Sequence, residues 1–230
     1  MNSPRIGIWH PGVSSNYGDR AIQHATIDLA RDRWPDAQIV QYHKDPAEGA
    51  EAYPDPRVVF EPLGPLGMPP IGKRLSDLDV LLWGGGSLIQ QSSLLHFPYH
   101  LIPAAAAAQR GTPVVCFGSG VEPLRSRLLR WLARKAVQSV FDTAFVRGPL
   151  SAQLITSYGV ADSVAFDVDQ AASLQPGQPE DAEELMAGMF ATDDGGETVS
   201  VSFKPSFIYR GGILPVAIDP PSRARRERER

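Results

Sequence analysis

Cysteine is nearly absent from the chain: Cys116 is the only one in 230 residues. One thiol excludes an intramolecular disulfide and a cysteine-rich metal centre, and it suits a reducing compartment. Histidine is also sparse. His10, His24, His43, His96 and His100 show neither H-E-x-x-H nor a comparable ligand spacing, so no metal is expected. A long apolar run is missing as well. The most apolar stretch, residues 101–121, is broken by Pro103, Gln109, Arg110, Gly111 and Pro113, so no transmembrane segment is expected. No apolar region of secretory type follows Met1-Asn2-Ser3-Pro4-Arg5, and the expected location is cytoplasmic. A basic excess is lacking, since the net charge is −4, and no nucleic-acid partner is expected. The one basic run, Ser222 to Arg230, holds five arginines and two glutamates and reads as a solvated tail. G-x-G-x-x-G, the P-loop and G-x-S-x-G do not occur, which removes three common nucleotide and hydrolase signatures.

What is present is an ordinary soluble composition, 43% hydrophobic and 21% charged, able to bury a sizeable core. Short apolar runs alternate with longer helical patterns. Strands are expected at Arg5–Trp9, Gln38–Tyr42, Arg57–Phe60, Asp79–Trp83, Pro113–Phe117, Thr143–Arg147 and Ser163–Phe166. Helices are expected at Asp19–Arg33, Tyr99–Arg110, Leu124–Val140 and from Pro149 to Tyr158, with Gly159 as a C-cap. Such alternation predicts an α/β fold of Rossmann type, a mostly parallel sheet with helices on both faces. The predicted domain spans 1–175. Residues 176–218 read as a linker, with a short helix at Asp181–Phe190, and the start of a second unit. Residues 219–230 form the arginine-rich tail, expected to be disordered.

In open parallel sheets ligands bind outside the carboxyl ends of the strands. Three loops are expected there. The first, after strand one, contains Asn16, Tyr17, Gly18 and Asp19 at a helix N-terminus, where free N–H groups favour anions. Asp19 can equally cap that helix, and would then occupy the anion position itself. The second is Gly84-Gly85-Gly86-Ser87, where three successive glycines allow backbone to approach a ligand closely. The third is Gly118-Ser119-Gly120, which reads equally as a plain strand-to-helix turn. Arg147 ends a strand and can grip a carboxylate or phosphate with its bidentate fork, or form a surface ion pair. His10, His96 and His100 lie near these loops and are candidate general acids, although each reads more simply as an ordinary polar residue. Asp167 and Asp169 follow a strand and can cap or contact a ligand.

In order along the chain, Asn16-Tyr-Gly-Asp19, Asp79-Val-Leu-Leu-Trp-Gly-Gly-Gly-Ser87, Gly118-Ser-Gly120, Val146-Arg147-Gly-Pro-Leu-Ser151 and Gly159-Val160 through Asp169-Gln-Ala171 resemble the polysaccharide pyruvyl transferase family. The resemblance spans roughly residues 5–175. It implies the N-terminal half of a two-domain fold similar to GT-B glycosyltransferases. It also implies transfer of pyruvate from phosphoenolpyruvate, a co-substrate, to a sugar of an exopolysaccharide or cell-wall glycan as a cyclic ketal, with no further cofactor. By family position Arg147 holds the donor, and the Asn16–Asp19, Gly84–Ser87 and Gly118–Gly120 loops line the substrate cleft. Two departures stand out. Gly148 follows Arg147 where the family usually has Asp, and Asp-Pro-Ala appears as Asp169-Gln170-Ala171.

The family's C-terminal half contributes basic and histidine donor residues, yet no histidine follows His100. The expectation is therefore a truncated relative, or one completed by a partner chain or oligomer. Two alternatives stay open: an inactive relative acting as a binding or interaction module, and a GT-B glycosyltransferase.

Overall fold

The computed structural model describes residues 3–10, 17–64, 68–91, 93–159, 164–167 and 169–175. Among these residues seven strands form one sheet in the order β3-β2-β1-β4-β5-β6-β7. They are β1 (Arg5–Trp9), β2 (Gln38–His43), β3 (Val58–Pro62), β4 (Val80–Gly84), β5 (Val114–Ser119), β6 (Thr143–Arg147) and β7 (Val164–Asp167). Every pairing is parallel. This is the Rossmann-type α/β architecture that the strand–helix alternation predicts. The order reverses between β1 and β4, and that reversal opens the crevice where such folds bind ligands.

The connecting helices are α1 (Tyr17–Arg33), α2 (Pro46–Ala52), α3 (Lys73–Ser76), α4 (His96–Ala108), α5 (Arg127–Ser139) and α6 (Gly148–Ser157), with a 3-10 turn at Gln170–Ser173. The apolar residues divide between the two faces of the sheet. Ile6, Ile8, Ile39 and Leu82 pack against Ile27 and Ala30 of α1. Trp83, Val114, Cys116, Ala144 and Val146 pack under α3 to α6 through Leu75, Phe97, Ala104, Leu129, Ala133 and Ile155. Full burial of a side chain of this size stabilises by about 1.5–3 kcal/mol.

Several boundaries move for local reasons. The helix expected from Tyr99 starts at His96, because Pro98 falls in its first turn, where a missing N–H costs nothing. The cationic helix expected from Leu124 starts at Arg127, since the Ser126 hydroxyl accepts the Leu129 N–H and caps it. Helix α2 does not follow from the periodicity. The Asp45 carboxylate caps it by accepting from Ala47 and Glu48 N–H.

No helix among the described residues is long and apolar enough to cross a membrane. The readings beyond residue 175, including the second unit, the arginine-rich tail and the helix at Asp181–Phe190, lie outside the described residues.

Candidate functional site

The carboxyl ends of β4, β5 and β6 meet at one rim. β4 runs into Gly84, and the chain then turns through Gly85 and Gly86, both at positive φ. Gly85 is the constrained position. Its φ is +78°, and a Cβ built on it would lie 2.0 Å from the His10 ring. Only a residue without a side chain fits between that ring and the left-handed backbone. Gly86 faces the first turn of α1, with Asp19 Oδ1 3.6 Å from where its Cβ would be.

The second and third glycine loops are joined. Gly120 N–H donates to the Gly86 carbonyl at 2.7 Å, and Gly85 N–H to the Phe117 carbonyl at 3.2 Å. Gly120 packs against the Ser87 hydroxyl and the Arg147 guanidinium. Arg147, the last residue of β6, places Nη1 2.5 Å from Asp169 Oδ2 and donates from Nη2 to Ser87 Oγ at 3.4 Å. Each partner of the Arg147–Asp169 ion pair keeps about a third of its side chain exposed. Asp169 also accepts the Ala171 N–H and so starts the 3-10 turn. Next to it Gln170 is buried. Its amide lies on Gly118 and donates to the Phe117 carbonyl at 2.7 Å.

The residues expected at the site thus have different places. Ser87, Gly120 and Arg147 are brought together, and Gly84, Gly85 and Gly86 form the adjoining edge. Tyr17, Gly18 and Asp19 open α1 beside that edge, while Asn16 lies outside the described residues. Gly118 sits beneath Gln170. Ser119 is fully buried, and its hydroxyl turns to the Gly120 carbonyl at 3.4 Å, so it stands behind the rim rather than on it. The sequence shows Asp169 only as a cap or a ligand contact, and it does cap. Its second partner, Arg147, was signalled by no local pattern.

A histidine cluster lies under the glycine edge. His10 is 2% exposed, and neither ring nitrogen has a partner among the described residues. Burial, reinforced by His43, lowers its pKa to about 4. His96 is lowered to about 4 by burial, partly opposed by its hydrogen bond to the Ser87 main chain. His100, with its ring centroid 4.6 Å from that of His96, falls well below 6.5 through burial and the neighbouring His96 and His10. Near neutral pH all three are uncharged, which makes them poor proton donors. Burial also pushes the Cys116 thiol up to about 12, so it is no nucleophile. Among the described residues no group of three or more His, Cys, Asp or Glu is placed to hold a metal ion.

Two of the cavities lined by described residues bear on the site's position. The larger, about 280 Å³, lies where β5 and β6 begin, lined by Thr112, Pro113, Phe141 and Asp142. It is at the end of the sheet away from the glycine loops. The smaller, about 150 Å³, borders Phe117, Phe145, Asp169 and Gln170.

The family model for polysaccharide pyruvyl transferase matches residues 16–211. The chain belongs to the polysaccharide pyruvyl transferase family. The match begins at Asn16 and takes in all three glycine loops, Arg147 and Asp169. Among solved structures, a short-chain dehydrogenase from Streptomyces avermitilis is similar at 15% identity and a TM-score of 0.36, over 81% of this chain and 92% of that one. That likeness bears no weight on the function of this pyruvyl transferase family member. No curated protein matches the chain.

Proposed function

We propose that the rim around Arg147 and Ser87 holds phosphoenolpyruvate, and that the protein transfers its pyruvate to a sugar of an exopolysaccharide or cell-wall glycan as a ketal. The observation that carries this reading is the position of Arg147. A permanent cation ends β6 at the crevice, with a hydroxyl and two glycine turns beside it, and this suits a compact, multiply charged anion. The start of α1 at Tyr17–Asp19 and the Gly84–Ser87 loop line the cleft beside it. Further donor contacts are assigned to a second half facing this rim, as in the GT-B-like arrangement the family implies. The reaction is placed in the cytoplasm, on a glycan precursor.

The chemistry is balanced as follows. The phosphoenolpyruvate methylene takes a proton and becomes a methyl group, leaving cationic character at C2. Two hydroxyls of one sugar form bonds to C2, the C2–O bond to phosphate breaks, and inorganic phosphate leaves. Of the two hydroxyl protons released, one replaces the proton taken by the methyl group and the other leaves with phosphate. Arg147 holds the donor's negative charge and stabilises the departing phosphate. The neutral histidines beneath the glycine edge are assigned no proton transfer.

A second reading is favoured by one observation: the Arg147 fork is already engaged by Asp169, and Gly148 stands where the family usually has Asp. On that reading the chain binds ligand without turnover. One experiment separates the two. The purified protein is incubated with phosphoenolpyruvate and a panel of sugar acceptors, and pyruvylated product is sought by mass spectrometry. A product gained with wild type and lost with Arg147→Ala supports transfer. Donor binding with no product across the panel supports the binding module.

A further inference from the structure

Helix α5 carries two large apolar side chains that core packing does not use. Its inner face, Leu129, Ala133, Ala136 and Val137, is buried. On the opposite face Leu128 is 63% and Trp131 54% exposed. The two stand one turn apart, whereas apolar residues left on a surface are ordinarily scattered singly. Arg127 and Lys135 flank Trp131 one turn to either side, and both are exposed. The helix Arg127–Ser139 contains no acidic residue. Among the described residues no carboxylate pairs with either cation. Arg130 and Arg134 are engaged elsewhere: Arg130 donates to the Leu124 and Arg125 carbonyls, and Arg134 lies on Gly159. Arg127 falls in the first helical turn, where the dipole disfavours positive charge. Core packing and the dipole thus give no account of this face, and such local conflicts concentrate at functional sites. The face continues beyond the helix. Gln91 Oε1 accepts the N–H of Arg125 and of Ser126 at 2.9 and 3.0 Å. That ties the loop carrying the exposed Leu94 and Leu95 to the start of α5.

We propose that this face of α5 docks the protein on an anionic lipid bilayer, with Trp131 and Leu128 entering the headgroup region. Charge complementarity selects the occupant. The whole chain is acidic, at −4, so attraction to an anionic surface has to be local, and α5 supplies it. Tryptophan and leucine set between cations on one helical face is the pattern of a helix lying in a membrane interface. The indole seats at the boundary between the apolar and wet layers. The arginine and lysine stems carry their charges to lipid phosphates, each worth about fivefold in partitioning. Nucleic acid would use the cations but leave Leu128 without a partner. A bound peptide helix needs a groove, and the cavity that touches α5 lies at its far end, at Gln138 and Ser139. The 13 residues of α5 extend about 20 Å, enough to lie in the plane of the interface. Docking of this kind needs no membrane-crossing helix, and the described residues contain none.

The test is flotation of the full chain with lipid vesicles at low salt. Vesicles of phosphatidylcholine alone are compared with vesicles of phosphatidylcholine and phosphatidylglycerol. The proposal expects flotation with the anionic vesicles only. Arg127→Gln combined with Lys135→Gln should weaken partitioning roughly twentyfold. Leu128→Ser combined with Trp131→Ser should weaken it at least about tenfold. Two controls should change it less than either pair: Leu150→Ser, an exposed apolar position on α6, and glutamine at all five arginines of residues 222–230. Salt at 1 M, where screening acts within about 3 Å, should release much of the bound protein. Tryptophan emission should shift to the blue when anionic vesicles are added, and Trp131→Phe should abolish that shift while the protein still floats. Equal flotation with neutral vesicles, flotation with neither, or loss in the arginine-tail variant alone overturns the proposal. Association between chains that Trp131→Ser abolishes, without vesicle binding, overturns it and makes a second copy the occupant. Retention on an RNA homopolymer in place of vesicles overturns it in favour of nucleic acid.

Discussion

Arg147 reaches Asp169 with one edge of its guanidinium, at 2.5 Å, and Ser87 with the other, at 3.4 Å. The pair therefore ties the end of β6 to the 3-10 turn and to the triple-glycine loop. It fixes the direction of the cation that ends β6 at the rim. Because both partners are about a third exposed, solvent screens their attraction, and the pair adds on the order of 0.5–1 kcal/mol. Asp169→Ala removes it together with the cap on Ala171, worth about 1 kcal/mol. Thermal denaturation should show a loss of a few degrees. An unchanged Tm would mean that neither contact persists in solution.

Gly85 should tolerate no side chain. Alanine there adopts φ +78° at a cost of about 1–2 kcal/mol and drives a methyl group into the His10 ring, 2.0 Å away, for a similar further cost. Chemical denaturation of Gly85→Ala should show a loss of about 3 kcal/mol. His10→Ala in the same background should recover part of it.

Acid should weaken the fold before the carboxylates titrate. His10 and His96 have folded-state pKa values lowered to about 4, against about 6.5 when unfolded. The unfolded chain thus takes up protons first as pH falls. Their stabilising contribution is complete above pH 6.5, shrinks between 6.5 and 4, and reaches about 3 kcal/mol lost per histidine. Urea denaturation at pH 7.5 and 5.0 should show this loss, and His10→Gln should reduce it. Equal stability at both pH values would contradict the buried neutral cluster.

Cys116 should be chemically silent in the native protein. It is fully buried with its thiol pushed up to about 12. Alkylation by iodoacetamide should require unfolding and keep pace with it. Rapid labelling under native conditions would place the thiol on an open surface.

Much of this fold is legible in the sequence because its signals are local. Arg5–Trp9 and Thr143–Arg147 are apolar runs ended by turn residues, and both strands occupy those bounds. The glycine loops are legible for the same reason, each following a buried strand directly. Helix α2 is less so. Its seven residues carry little apolar stripe, and its start depends on the Asp45 cap. The contacts that shape the rim are not legible, because they join distant residues. No spacing shows that Gln170 lies on Gly118 or that Asp169 claims one edge of Arg147. Ser119 reads as a rim residue from its flanking glycines, yet the register shift between Phe117 and Ser119 sets it beside Val146 and turns it inward.

The most direct test of the central claim is the affinity of the purified protein for phosphoenolpyruvate by isothermal titration calorimetry, with Arg147→Ala in parallel. Wild type should bind, and the variant should lose at least tenfold in affinity, the order expected for one charge-assisted contact of about 1.5–3 kcal/mol. Equal binding by both proteins, or no binding by the wild type, would contradict a donor site at Arg147.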